Sequence, residues 1–142
     1  MLHPKIRLVL VDDHEMVRET WKIILEQDPR IDIIAECGSG AEAIDIAHEL
    51  SPDVMLMDIN MFPVNGFEAT RKILRSCPDI KIIGVSVNDQ PGYARNMIQL
   101  GARGFVTKNT SQEEMIEAII EVFNGRSYIC RELRDKMSPN NS

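Results

Sequence analysis

Three carboxylates, a hydroxyl and an ammonium occur in this chain at one kind of place, the end of a short apolar run. Asp12 and Asp13 follow 6–11, Asp58 follows 54–57, Ser86 lies near the end of 80–87, and Lys108 closes 104–108. Taken singly, each is most economically a helix cap, a turn former or a surface charge. Taken together they suggest chemistry. Clustered carboxylates raise the cost of ionising one another, which calls for a cation. Mg2+ is a hard octahedral ion that accepts one or two carboxylates, keeps several waters and shares its remaining positions with phosphate. An Asp carboxylate can attack phosphorus to give an aspartyl phosphate. Lys108 could hold one phosphoryl oxygen and Ser86 could donate to another, which are electrostatic parts of phosphoryl transfer.

For these groups to meet, the apolar runs must be neighbouring strands. Ile6–Val11 reads as a first strand, and Val17, Trp21, Ile24 and Leu25 give 16–26 a helical period that Pro29 ends. Ile31–Cys37 is a second strand. Ser39 with Glu42 has the spacing of a capping box for a helix reaching about Leu50. The third strand stops at Asp58, and Asn65 with Glu68 repeats the cap spacing before a helix broken by Pro78. A fourth strand over 80–87 precedes a helix that starts at Pro91 and stops at Gly101. After the short strand 104–108, Ser111 with Glu114 opens a last helix, closed by Asn124 and Gly125.

Five strand–helix pairs in alternation predict a parallel sheet covered on both faces, an α/β flavodoxin-like (βα)5 sandwich with strand order 2-1-3-4-5. Strands one and three are then neighbours, flanked by four and five. Ligands in such sheets bind beyond the carboxyl ends of the strands, where all five groups lie. The reading divides the chain into a domain over 1–126 and a tail or linker over 127–142, with a short helix before Met137 and turn-forming residues from Ser138 to Ser142.

The marks Val11-Asp12-Asp13, Met57-Asp58-Ile59, Gly66 eight residues past Asp58, Ser86, and Phe105 three before Lys108 occur in order at set spacing. Over roughly 5–125 the chain resembles the receiver domain of two-component response regulators. The runs 100–108 and 122–128 further resemble the NarL/LuxR (FixJ-like) branch, whose members usually carry a C-terminal helix-turn-helix domain. The resemblance implies that Asp58 accepts a phosphoryl group from a phosphohistidine on a sensor histidine kinase. It implies that Asp13 and Asp58 ligate Mg2+ directly, Asp12 through water, and Asn60 through its backbone carbonyl. Lys108 would contact the phosphoryl group, Ser86 would turn its hydroxyl toward it, and Phe105 would swing inward as Ser86 moves. The face built by the fourth helix, fifth strand and fifth helix would then bind a partner, a second copy of the chain among the candidates.

Departures from the family pattern cluster near the acceptor. Phe62 stands where a proline is usual, with Pro63 one place later; Asn109 replaces the proline often found after the lysine, so a cis bond is not expected there. Val87 is bulkier than usual, and Asn60 and Asn88 flank the site. His14 is read as an exposed first-turn residue rather than a ligand.

Composition narrows the alternatives. A net charge of −6 argues against this segment gripping nucleic acid, so DNA contact would need a further domain. No apolar run approaches the ~20 residues of a membrane span, and the reading places the chain in the cytoplasm, without membrane contact. Cys37, Cys77 and Cys130 lack metal or disulfide spacing and are read as reduced thiols. An Asp-nucleophile phosphatase needs a second Asp where Asn60 stands. A nucleotide or flavin module needs more glycine than Gly38-Ser39-Gly40 supplies. A stand-alone receiver acting through protein contacts is the remaining alternative.

Overall fold

The computed structural model describes residues 4–137. The turn-forming stretch expected over 138–142 lies outside them. The elements run β1 (Ile6–Val11), α1 (Glu15–Glu26), β2 (Ile31–Cys37), α2 (Gly40–Leu50), β3 (Val54–Asp58) and α3 (Gly66–Ser76). They continue with β4 (Lys81–Ser86), α4 (Pro91–Leu100), β5 (Gly104–Thr107), α5 (Gln112–Phe123), β6 (Tyr128–Ile129) and α6 (Arg131–Met137). All neighbouring strands pair in parallel, in the order β2-β1-β3-β4-β5-β6.

The α/β flavodoxin-like class and the order of the first five strands agree with the sequence. The sheet has six strands, however, not five. β6 is too short to carry a period, and it forms because Tyr128 and Ile129 pair with Gly104 and Phe105. It brings the expected tail onto the domain: Tyr128, Cys130 and Leu133 are buried with the core.

The core lies where the sequence puts its longest apolar runs. β3 is buried throughout, and Leu8, Val9, Met55, Met57, Ile82 and Ile83 have no exposed surface, as expected of strands covered on both faces. The edge strand β2 is only partly buried and carries Asp32 and Glu36. Three helices start at side-chain caps: Ser39, Asn65 and Ser111 accept from the N–H groups of Glu42, Glu68 and Glu114 at 3.2, 2.9 and 3.1 Å. The third box is incomplete in an informative way. The Glu114 carboxylate accepts instead from the Tyr128 hydroxyl and the Arg131 N–H, both at 2.8 Å, and so ties α5 to β6 and α6. Gly101 ends α4 with φ 110°, a left-handed cap that favours glycine.

Candidate functional site

Asp58 is the last residue of β3 and only 1% exposed. Its Oδ1 accepts from the Asn60 N–H at 2.9 Å, a turn that bends the chain as it leaves the strand. Gly66 packs against that bend. A Cβ there would stand 2.4 Å from the Asp58 carbonyl oxygen and 2.6 Å from Ile59 Cα, so a larger residue cannot fit without moving the backbone. Asp58 pairs with Val85, which places Ser86 one residue further along β4. The Ser86 Oγ accepts from the Asn88 N–H at 2.9 Å. Thr107 pairs with Ser86, and Lys108 follows it into the same cleft.

Asp12 leaves β1 beside them, its N–H donating to the Cys37 carbonyl at 3.1 Å. Lys108 Nζ stands 2.8 Å from Asp12 Oδ2 and 3.5 Å from Asp58 Oδ2, with its side chain 14% exposed. One ammonium is thus shared by two buried carboxylates. Burial pushes the Asp58 carboxyl above the ordinary range, helped by the charges of Asp12 and Asp13 and opposed by the Asn60 N–H and Lys108. Burial works on Asp12 in the same direction, but Lys108 and His14 outweigh it and hold that carboxyl low. The site is short of positive charge.

Ligand atoms of Asp12, Asp13, His14 and Asp58 lie within 4.8 Å of one another, close enough to hold a metal ion. The donor set is dominated by hard carboxylate oxygen and its carboxylates are undercompensated, which suits Mg2+. His14 is exposed, as the sequence suggested, with 62% of its side chain accessible. Its Nδ1 nevertheless lies 3.2 Å from Asp12 Oδ1 and 3.0 Å from Asp13 Oδ1.

The fold therefore gathers Asp12, Asp13, Asp58 and Lys108, with Ser86 beside them on β4. Asn60 enters through its backbone N–H, and its side chain is exposed. Phe105 is fully buried in this structure, its ring packed so close to Gly84 that a Cβ there would meet it at 2.7 Å. Phe62 is 88% exposed, Val87 is exposed, and the Phe62–Pro63 peptide is cis. Sequence reasoning missed Arg18 and Glu36. Arg18 Nη1 donates to the Asp12 carbonyl at 2.6 Å and its Nε to Glu36 Oε1 at 3.2 Å. No motif marked either residue, because a basic residue on an amphipathic helix ordinarily faces water.

With this geometry in view, the sequence model of the response regulator receiver domain matches residues 8–120. The chain belongs to the response regulator receiver family. Among relatives of this receiver, the response regulator GacA of Pseudomonas aeruginosa is 38% identical over 133 residues, covering 94% of the chain and 62% of GacA. The transcriptional regulatory protein DegU of Brevibacillus brevis is 38% identical over 125 residues, 88% of the chain and 53% of DegU. A LuxR-family response regulator from Aurantimonas superposes with a TM-score of 0.90 at 29% identity, covering 94% of this chain and 95% of that one. The receiver domain of NarL from Mycobacterium tuberculosis gives 0.82 at 28% identity over 87% of this chain and all of that one. These likenesses place the receiver in the NarL/LuxR branch. It spans little more than half the length of the curated relatives it matches.

Proposed function

We propose that this receiver takes a phosphoryl group onto Asp58 from a phosphohistidine of a sensor histidine kinase, in a Mg2+-dependent reaction. The observation that carries the reading is Asp58 itself: a buried carboxylate at a strand end, facing two further carboxylates and one shared ammonium. An Asp58 oxygen attacks phosphorus, the P–N bond breaks, and the imidazole leaves with the electron pair. The carboxylate is held for this by the Asn60 N–H on Oδ1. Asp13 and Asp58 would ligate Mg2+, with Asp12 acting through water and Asn60 through its carbonyl; the bound ion supplies positive charge against the phosphoryl oxygens. Lys108, already within 3.5 Å of Asp58, neutralises another oxygen. The Ser86 hydroxyl, free to donate while its oxygen accepts from Asn88, would take a third.

The chain acts as a phosphoacceptor switch rather than as a turnover enzyme. Phosphorylation shifts an existing equilibrium of the α4, β5 and α5 face, which then engages a partner, with a second copy as one candidate. Names such as transcriptional regulatory protein DegU support a transcriptional output, delivered through a DNA-binding domain beyond this segment. Intact-mass spectrometry after incubation with Mg2+ and acetyl phosphate tests the core of this reading. Wild type gains one phosphoryl mass and Asp58→Asn gains none; an unmodified wild type, with acetyl phosphate and with its kinase, refutes it.

A further inference from the structure

Arg18 lies outside the set of residues that touch the acceptor, yet it grips the backbone from which the acidic pair projects. Its Nη1 donates to the Asp12 carbonyl at 2.6 Å, while the Asp12 N–H donates to the Cys37 carbonyl at 3.1 Å. The peptide unit between Asp12 and Asp13 is therefore held from the helix side by one guanidinium. That guanidinium is itself held: Nε donates to Glu36 Oε1 at 3.2 Å, and Lys22 pairs with the other Glu36 oxygen at 3.3 Å. Only 17% of the Arg18 side chain is exposed. Gly38 clears the space it needs, since a Cβ there would stand 3.0 Å from Nη1. Asp13, by contrast, has no backbone N–H on its carboxylate among the described hydrogen bonds and only the exposed His14 ring at 3.0 Å, so its direction depends chiefly on the peptide behind it.

We infer that Arg18, braced by Glu36 and seated over Gly38, is a positioning residue that aims the Asp13 carboxylate into the divalent-cation site. The inference rests on the reading of Asp13 as a Mg2+ ligand. It makes a prediction of definite sign. Arg18 is a cation near a cation site, so through its charge alone its removal would tighten Mg2+ binding. If its hydrogen bonds set the geometry, removal weakens binding, as loss of groups that orient metal ligands typically does by about 10–100-fold.

The sole tryptophan, Trp21, lines the same small cavity as Asp12 and Arg18 and serves as reporter. Mg2+ titrations followed by Trp21 fluorescence, with thermal melts in parallel, would compare wild type, Arg18→Gln, Arg18→Lys and Gly38→Ala. Arg18→Gln should raise the Mg2+ dissociation constant about tenfold or more. Arg18→Lys should fall between it and wild type, because an ammonium can reach the Asp12 carbonyl or Glu36 but not span both. Gly38→Ala keeps every charge and should weaken binding by displacing the guanidinium, so it stands in if Arg18→Gln does not fold. Unchanged or tighter binding in folded Arg18→Gln, or in Gly38→Ala, overturns the inference alone. A wild type with no Mg2+ response in fluorescence or melting overturns the inference together with the reading beneath it.

Discussion

Asp58 carries a conflict between stability and chemistry. Its carboxyl is buried and raised above the ordinary range, so ionising it costs more in the folded protein than in the unfolded chain, while the proposed phosphoryl transfer needs the anion. A group of this kind contributes stability below its unfolded pKa and loses it as pH rises through the folded value. Asp58→Asn, which keeps the shape without the charge, should therefore melt like wild type at low pH. It should melt a few degrees higher at neutral pH in EDTA, on the order of 1 kcal/mol. Added Mg2+ should raise the wild-type melting temperature and close that gap; a variant less stable than wild type at pH 7 would contradict the burial argument. Cys37 shows the same physics in a thiol. Burial pushes its thiol up to about 11, so iodoacetamide at pH 8 should label half-buried Cys77 well before Cys37. Equal rates, read by peptide mass mapping, would show that the strand end opens.

At the scale of elements, β6 and α6 give the β5 edge its cover. Glu114 anchors Tyr128 and Arg131, the Thr107 hydroxyl donates to Glu132 at 2.9 Å, and Lys136 pairs with Asp89 in the loop after β4. The apolar anchor is Leu133, with no exposed surface. Leu133→Ala should cost about 2–4 kcal/mol in urea unfolding, within the range for large-to-small core changes. A cost under about 0.5 kcal/mol, typical of surface substitutions, would show instead that α6 is only loosely applied. Two of these contacts also touch the Asp58 cleft indirectly, since Thr107 precedes Lys108 and Asp89 follows Asn88, which donates to Ser86.

For the molecule as a whole, charge decides what the segment can grip. With 16 basic and 22 acidic residues it has no surplus of cations to release counterions from a phosphate backbone. The 142-residue chain should therefore leave a DNA duplex unshifted in a gel at physiological salt, phosphorylated or not. Retardation would move DNA contact into this segment. Among the described residues no helix is long and apolar enough to cross a membrane.

The alternation of apolar runs with helical periods determined the parallel sheet, because strands buried on both faces must be nearly all apolar. The caps at Ser39, Asn65 and Ser111 were legible for a similarly local reason: they depend on residues three apart. That Asp58 and Lys108 would meet was legible because each closes such a run. Tertiary structure alone decided the rest. β6 is a two-residue strand that exists only through its pairing with β5. Phe105 is fully buried because Gly84 leaves room for its ring, and Arg18 meets Asp12 only because α1 folds back over the end of β1. Such contacts join residues whose identities carry no joint period, and only the folded chain brings them together.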